Sequence, residues 1–290
     1  MIIACIPAFN EGKIIRTLVK NILQYVDRVI VCDDGSNDNT STEAKKAGAT
    51  VIEHEKNFGK GAAMRTLFDF AKNENFDVMI TIDGDGQFSP KEIPKLISPI
   101  INERVDIVIG FRSNKDEMPS YRKFGNKFLD SMTNLASELP FRDTQSGFRS
   151  YSKKAVSVIS FRTNGFGADS EILIDASRKK LNIVEVGVTV SYNTGEKTST
   201  KDPISHISEV ITSLIESIAI SHPLKYLGIP GMLLLIIGVG FLIWSISFFN
   251  EVRFFPIPLL VSAIGSMMIG TMLLLMSVVL YGISKIKIKN

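Results

Sequence analysis

The chain has 290 residues, of which 45% are hydrophobic, and a net charge of +3. This length and apolar content are enough for one sizeable core and a further apolar element. No repeat and no low-complexity tract is visible, which excludes a repeat architecture and a largely disordered chain.

Predicted strands and helices alternate over the first 112 residues. β-Branched, mostly apolar runs predict five strands, at residues 2–6, 28–32, 50–54, 77–82 and 106–110. The stretches between them predict helices, among them an amphipathic helix after residue 13 and a helix that opens at 58–61 and continues through Ala71. Such alternation is typical of a doubly wound, mostly parallel α/β sheet.

Acidic residues follow three of the predicted strands. Glu11 lies just after the first, Asp33 and Asp34 after the second, and Asp83 and Asp85 after the fourth. Parallel strands end at one edge of a sheet, where ligands bind, so we expect these five carboxylates to lie near one another. They would repel one another without a cation. The alternative is that Asp33 and Asp34 are ordinary turn and N-cap residues.

A glycine-rich acidic motif, DGDGQ at residues 83–87, follows the fourth predicted strand. Its glycines leave the backbone bare, so that a bulky anion can approach closely. Carboxylate oxygens suit Mg²⁺ or Mn²⁺ shared with a diphosphate. Taken alone, the motif is also compatible with a polar turn at the end of a strand.

The second half is less regular. Helices are predicted at 121–135 and 170–180, and a strand at 183–190. A polar loop is expected at 143–149, and a loop at 191–201 that becomes ordered when nucleotide binds. A helix at 204–218 carries an apolar stripe, and it lies either on the bilayer surface or on the globular domain.

Two long runs without any charge follow, at 226–249 and 254–284. Each exceeds the roughly 20 apolar residues that a bilayer span needs, so we predict a transmembrane hairpin. Lysines at 225, 285, 287 and 289 flank it and place both flanks in the cytoplasm. Residues 1–9 lack the basic leader of a signal peptide. Two cysteines in predicted strands, Cys5 and Cys32, would remain reduced there as small core residues.

The predicted organisation therefore has three parts. Residues 1–202 form a cytosolic catalytic domain, and 203–222 form an amphipathic juxtamembrane helix. Residues 223–290 form two transmembrane helices, at about 226–249 and 256–282, with a basic cytoplasmic tail. The expected location is the cell membrane or an ER-type membrane.

Three motifs, in this order, resemble a known family: IPAFNE at 6–11, DDGS at 33–36 and DGDGQ at 83–87. Together they resemble the family 2 glycosyltransferases, whose fold is GT-A. Within that family the chain is similar to the polyprenyl-phosphate sugar transferases, which include the dolichol-phosphate mannose synthases. The sequence SGFR at 146–149 and the C-terminal hairpin strengthen this narrower resemblance.

The resemblance implies roles for the matched residues. Asp85, Gln87 and Arg112 would be catalytic, and Mg²⁺ or Mn²⁺ would be held by Asp83, Asp85 and Gln87. The implied substrate-binding residues are Pro7, Phe9, Asn10, Glu11, Val31, Asp33, Asp34, Lys60, Asp83, Gly84, Arg122, Ser146, Arg149, Glu171 and Lys197.

Several of these residues have more specific implied roles. The base and ribose of a nucleotide sugar would be held by Pro7, Phe9, Glu11 and Asp33. Arg112 and Arg122 would meet the lipid phosphate or the diphosphate, and Ser146 and Arg149 would shape the acceptor site. Two acids near residue 170, Asp169 and Glu171, either orient the acceptor or the sugar or stabilise the start of a helix.

Two departures from the family pattern bear on the donor. Gly84 stands between the two acids, where the family often has Ala. The 192–199 stretch lacks the Arg and the Ser-Lys pair of the mannose synthases, although Lys197 or Lys201 is a candidate substitute. The donor is therefore expected to be of the GDP-mannose or the UDP-glucose type.

The expected reaction is metal-dependent, inverting transfer of a hexose from a nucleotide sugar to a polyprenyl or dolichyl phosphate. A phosphate monoester has a second pKa of about 6, so this acceptor is already an anion and needs no general base. Two alternatives remain, a membrane-anchored glycosyltransferase acting on a glycolipid or polysaccharide, and a non-catalytic scaffold that binds sugar nucleotides. A homo-oligomer is left open, and no nucleic-acid partner is expected.

Overall fold

The structure is a computed structural model that describes residues 1–113, 120–165, 167–191, 223–254 and 256–289. The side chain of Arg122, the residue Lys197 and the predicted helix at 204–218 lie outside this description, as does most of the 191–201 loop. The chain divides into two compact units, Met1–Leu214 and Ile215–Asn290.

Seven strands form one sheet in the first unit, in the order β3-β2-β1-β4-β6-β5-β7. They are β1 (Ile2–Ala8), β2 (Arg28–Asp33), β3 (Thr50–Glu53), β4 (Val78–Thr81), β5 (Ile107–Arg112), β6 (Arg149–Ser152) and β7 (Ile183–Val188). Strand β6 is antiparallel to both β4 and β5, and the other pairings are parallel. The predicted α/β fold with a mostly parallel sheet is therefore confirmed.

Helices cover both faces of this sheet. They are α1 (Ile15–Ile22), α2 (Thr40–Lys46), α3 (Lys60–Lys72), α4 (Ile93–Glu103), α5 (Ser120–Ser137), α6 (Lys153–Val158) and α7 (Ala168–Arg178). Alternate residues of β1 point to opposite faces. Ala4 and Ile6 pack with α1 and α4 in one core, while Ile3 and Cys5 pack with α3 and α7 in the other. Both cysteines are free and buried, as the sequence predicts.

The reversed direction of β6 brings the loop before it to the edge of the sheet where the parallel strands have their carboxyl ends. Arg149, its first residue, pairs with Thr81, the last residue of β4. The segment before β6 therefore arrives beside the acidic motif that follows β4. A parallel strand in this place would have put that segment at the opposite edge.

The second unit consists of a π-helical turn (Leu224–Gly228) and two long helices, α8 (Ile229–Val252) and α9 (Ile257–Lys289). Two stretches, Leu224–Val252 and Ile257–Ile283, are long and apolar enough to cross a membrane, and little of either is buried.

Small residues line the contact between α8 and α9. A Cβ on Gly231 would lie 2.9 Å from the carbonyl oxygen of Gly270, so the two backbones approach closely. Gly238, Ala263 and Ser277 are also buried, while large apolar side chains such as Ile236 and Met268 are exposed. Small residues in the contact between two helices, with large apolar residues on their outer surfaces, are typical of helices that pack together within lipid.

Candidate active site

The acidic motif after β4 lies directly against the loop that follows β1. A Cβ on Gly84 would lie 3.1 Å from the carbonyl oxygen of Pro7 and 3.5 Å from Cγ of Glu11. Gly84 is therefore the point of contact between the two loops. The adjacent ends of β1 and β4 bring Glu11 and the 83–87 motif together at one edge, as expected from a parallel pair.

An ion-pair network holds Asp83. The ammonium group of Lys60 lies 2.8 Å from Oδ1 of Asp83 and 2.9 Å from Oδ2 of Asp169. Burial acts to lower the pKa of Lys60, but Asp169 and Asp83 raise that pKa well above its usual value. Lys60 therefore neutralises part of the negative charge at this edge.

A glycine packs on the other side of the same carboxylate. A Cβ on Gly147 would lie 2.4 Å from each carboxylate oxygen of Asp83, a distance that no real Cβ contact tolerates. The carbonyl oxygen of Gly147 accepts a hydrogen bond from the hydroxyl of Thr81, 3.0 Å away. Gly147 is thus fixed to the end of β4, where it supports Asp83 closely.

Asp85 carries charge that its surroundings compensate only in part. Among the described residues, its carboxylate accepts one hydrogen bond, from the backbone N–H of Gln87 at 3.1 Å. Burial, and secondly the charge of Asp83, raise the pKa of Asp85 to about 6, although Gln87, Lys60 and Arg112 act in the opposite direction. A divalent cation at this position would relieve both destabilising effects.

The donor set fits an open magnesium or manganese site. Within the part of the chain that the structure describes, no three His, Cys, Asp or Glu side chains are grouped so that they could enclose a metal ion. Mg²⁺ needs no such enclosure, because it binds one or two carboxylates and takes its remaining oxygens from water and substrate phosphates. The carboxylates of Asp83 and Asp85 are ligands of this kind, and Gln87 as a third ligand stays a prediction.

The two acids after β2 have well-defined partners within the protein. The carboxylate of Asp33 accepts hydrogen bonds from the backbone N–H of Ser36 at 3.0 Å and from its hydroxyl. The carboxylate of Asp34 accepts from the backbone N–H groups of Phe58 (3.1 Å) and Gly59 (2.7 Å), and lies 2.7 Å from Nδ1 of His54. These are the contacts of turn residues, and they hold the loops after β2 and β3 next to the site.

The loop after β1 is held in the same way. Asn10 has a left-handed backbone conformation with φ of 58°, and its side-chain oxygen accepts from the N–H of Asn37 at 2.9 Å. Pro7 is buried at the end of β1, and Phe9 is half-buried. Val31 is different, because its side chain is completely buried in the core beneath β2. The side chain of Val31 therefore does not line the surface of the site, and a contact between Val31 and substrate stays a prediction that could involve only its backbone.

Arg112, at the end of β5, is clamped by a residue that sequence reasoning missed. Its guanidinium group donates twice to the carboxylate of Asp143, at 2.7 Å each, and its backbone N–H donates at 3.0 Å. Asp143 is completely buried. An acid at the start of the polar loop 143–149 could have suggested a functional role from the sequence. Only the pairing of β5 with β6 shows that Asp143 lies beside Arg112.

Two other residues, Ser146 and Arg149, hold the 143–149 loop in place by hydrogen bonds inside the protein. The buried guanidinium of Arg149 donates to the carbonyl oxygens of Thr144, Ser146 and Asp169 at 2.7–2.8 Å. The hydroxyl of Ser146 donates to the carbonyl oxygen of Gly110 at 2.6 Å. Ser146 and Arg149 thus hold the 143–149 loop in shape from within the protein, and their predicted contribution to an acceptor site stays a prediction.

Glu171, in the first turn of α7, also has a supporting position. Its carboxylate accepts hydrogen bonds from the backbone N–H groups of Arg162 and Thr163, at 3.0 and 2.9 Å. It therefore fixes the loop that leads into α7. Neither predicted role describes these contacts, because Glu171 binds the preceding loop and does not cap α7, while Asp169 in the same turn reaches Lys60.

Comparison with known proteins identifies the family. The sequence pattern described as "Glycosyl transferase family 2" matches residues 3–161, which contain every strand from β1 to β6. The chain belongs to glycosyl transferase family 2. It is therefore a glycosyltransferase, and the matched region contains the acidic motif, Lys60, Arg112 and Asp143, while Asp169 lies beyond it.

Several named relatives of this glycosyltransferase act on lipid phosphates. It is 37% identical over 216 residues to the UDP-N-acetylglucosamine–dolichyl-phosphate N-acetylglucosaminyltransferase of Methanococcus voltae, covering 66% of this chain and 86% of the relative. It is 30% identical over 192 residues to a dolichyl-phosphate hexose transferase of Haloferax volcanii, covering 65% and 82%. A dolichol-phosphate mannosyltransferase of Pyrococcus furiosus is 33% identical over 200 residues, covering 63% and 54%.

Solved structures support the fold of the glycosyltransferase unit. Glucosyl-3-phosphoglycerate synthase of Mycobacterium tuberculosis, in complex with Mn²⁺, UDP and phosphoglyceric acid, superposes with a TM-score of 0.60. Its identity is 22%, over 75% of this chain and 78% of that one. At this identity the likeness establishes the GT-A-like fold alone.

Proposed function

We propose that this glycosyltransferase transfers a sugar, with inversion, from a nucleoside-diphosphate sugar to a polyprenyl or dolichyl phosphate in a membrane. The observation that carries the proposal is the partly uncompensated pair of carboxylates, Asp83 and Asp85, in a chain that ends in two membrane-length apolar helices. The first feature suits a donor diphosphate with a divalent cation, and the second suits a lipid acceptor.

The donor half of the site is assigned to the ends of β1, β2 and β4. Mg²⁺ or Mn²⁺, held by Asp83, Asp85 and Gln87, would stabilise the negative charge that develops on the departing diphosphate. The loops at 7–11 and 33–36 would hold the base and ribose, with Pro7, Phe9, Glu11 and Asp33 as contacts. The close approach of Gly84 to Pro7 and Glu11 keeps the 7–11 segment adjacent to the proposed metal ligands.

The acceptor half is assigned to Arg112 and the loop after Asp143. A guanidinium group that is held on one side by a carboxylate keeps a fixed orientation, which favours recognition of a phosphate. Since the acceptor phosphate is an anion at neutral pH, the reaction needs no residue to remove a proton. The histidine of the catalytic unit that the structure describes, His54, is not needed as a base. Both of its ring nitrogens have partners, the carboxylate of Asp34 and the hydroxyl of Thr66 at 2.9 Å.

The hairpin would hold the enzyme at the membrane, where a lipid acceptor is found. A polyprenyl tail remains in the bilayer, so an enzyme that uses it must work at the membrane surface. We propose that α8 and α9 span the membrane, with the catalytic unit and both flanks of the hairpin in the cytoplasm.

The experiment uses the full-length protein in detergent or nanodiscs with a polyprenyl phosphate. Radiolabelled UDP-N-acetylglucosamine, UDP-glucose and GDP-mannose are supplied separately, with Mg²⁺, with Mn²⁺ and with chelator. We expect label from one donor to enter an organic-extractable, acid-labile lipid, and this transfer to stop in chelator. Transfer to a water-soluble acceptor alone, or donor binding without turnover, would contradict the lipid acceptor, and full activity in chelator would remove the metal.

A further inference from the structure

We propose that Lys60 is an internal counter-ion that occupies the metal-binding carboxylate Asp83 until the donor arrives, so that the metal and the nucleotide bind cooperatively. Asp169 is the second carboxylate that retains Lys60 in this position. The inference rests on the proposed function, because it assigns the role of the donor diphosphate, and it deepens that function by specifying the order in which charges assemble.

The first support is the position of the ammonium group. It lies between Oδ1 of Asp83 and Oδ2 of Asp169 at 2.8 and 2.9 Å, and all three side chains are mostly shielded from solvent. A divalent cation bound to Asp83 would bring two positive centres onto one carboxylate. The ammonium of Lys60 and the metal ion therefore compete for Asp83 when no other anion is present.

The second support is the way the backbone holds Lys60. A Cβ on Gly59 would lie 2.5 Å from the carbonyl oxygen of Asn164, and one on Gly61 would lie 2.1 Å from that of Thr163. The glycines on both sides of Lys60 thus allow the start of α3 to pack closely against the loop before α7. Asp169 lies in the first turn of α7, directly after that loop. The pairing of Lys60 with Asp169 is built into the packing of two helix ends.

The third support is the balance of charge. Asp83, Asp85, Asp169 and the nearby Glu11 contribute four carboxylates, Lys60 contributes one cation that pairs with two of them, and Arg112 is paired with Asp143. A metal ion alone adds two positive charges but meets the repulsion of Lys60. A nucleoside diphosphate adds the negative charge that allows the metal and Lys60 to remain together, since the flexible lysine stem lets the ammonium move from Asp83 to a phosphate oxygen.

The test measures binding of Mn²⁺ to the full-length protein in detergent, by electron paramagnetic resonance, without nucleotide and with saturating UDP or GDP. We expect weak binding of Mn²⁺ alone and binding at least about tenfold tighter with the diphosphate that the protein accepts, a usual size for coupling between sites. The variant Lys60→Met should bind Mn²⁺ alone about tenfold more tightly, and the coupling should shrink correspondingly.

Two further variants make the result specific. Lys56→Met removes the same charge from an exposed position in the preceding loop, near the ring of Phe58, and should leave both affinities unchanged. Lys60→Gln is a polar alternative in case the methionine variant does not fold, and the same direction is expected. Unchanged or weaker binding of Mn²⁺ alone by the folded Lys60 variants would overturn the proposal, and so would loss of folding in both, which would make Lys60 structural.

Failure of this inference can be distinguished from failure of the proposed function. Lipid transfer by the wild type, together with Mn²⁺ binding that does not respond to Lys60→Met, would refute the counter-ion alone. Normal coupling between Mn²⁺ and the diphosphate, without transfer of any donor sugar to lipid, would refute the lipid acceptor alone.

Discussion

Two pairs of acids that look alike in the sequence have opposite surroundings in the fold. Asp33 ends β2 and Asp34 follows it; the buried carboxylate of Asp33 accepts from a backbone N–H of its own loop, and that of Asp34 accepts from two backbone N–H groups of the loop after β3. Asp83 and Asp85 follow β4, where Asp83 pairs with Lys60, Asp85 accepts a hydrogen bond from the backbone N–H of Gln87, and the two carboxylates repel one another. The carboxylates of the first pair are therefore satisfied largely by the protein's own loops, whereas the charge of the second pair is compensated only in part, which is what our proposal of a metal site uses.

This difference has a simple physical origin. Carboxylates that accept several backbone hydrogen bonds are stabilised in their ionised form by the protein itself. Carboxylates that are buried beside each other are destabilised until a cation or a proton arrives. The four predictions below test this contrast, from the largest expected effect to the smallest.

Asp85→Asn should lower sugar transfer by about 10³-fold, because the variant keeps the side-chain shape but loses a charged metal ligand. Transfer is measured with saturating donor and polyprenyl phosphate. Asp69→Asn, on the exposed face of α3 where Asp69 pairs with Lys72, is the matched control and should retain full activity. Retention of activity by Asp85→Asn would contradict a metal site at this pair.

Asp34→Ala should destabilise the catalytic unit by about 3 kcal/mol, because it leaves buried N–H donors of Phe58 and Gly59 without their acceptor. Asp34→Asn retains an acceptor oxygen and should lose less. Urea unfolding of the full-length protein measures both. If Asp34→Ala unfolds like the wild type but no longer binds nucleotide, then Asp34 contacts the substrate and does not organise the loop.

Gly147→Ala should weaken Mn²⁺ binding in the presence of diphosphate by about tenfold, since the added methyl group would displace Asp83 and a misplaced ligand loses affinity. Gly187→Ala, in β7, is the control, because its added methyl would only touch the ring of Phe111 at 3.3 Å. Binding by Gly147→Ala that equals that of the control would show that Asp83 can move without cost.

The raised pKa of Asp85 predicts a pH-dependent difference in stability. Without metal, the folded protein binds the Asp85 proton more tightly than the unfolded chain, so ionising this group destabilises the fold as pH rises from about 4 to about 6. Asp85→Asn cannot ionise. Its Tm should therefore exceed that of the wild type by a few degrees above pH 6, and the two should converge near pH 4.

This prediction is checked by thermal melts of both proteins in chelator across the pH range. Saturating Mn²⁺ and diphosphate should remove or reverse the difference, because the wild type then gains a ligand that the variant binds poorly. A Tm difference that is the same at pH 4 and pH 7 would contradict the assigned cause.

The order of elements and the chemical class of the site follow from the sequence. Apolar runs of strand length, each followed by a helical pattern, determine the α/β fold, because burial of both sheet faces requires them. Acids placed after strands determine which edge binds ligands. Two uncharged runs of membrane length predict two long apolar helices, and the structure has α8 and α9 there with little of either buried.

Tertiary structure alone decided which of these residues meet. Strand β6 has only four residues, and they are too polar to be recognised as a strand from the sequence. Its reversed direction nevertheless brings Gly147 to Asp83 and Asp143 to Arg112. Val31 is predicted to bind substrate, but its side chain lies in the core, because side-chain direction depends on position within the sheet. The partners of Lys60 lie 23 and 109 residues away, and contacts of such separation depend on how helices and strands pack rather than on local pattern.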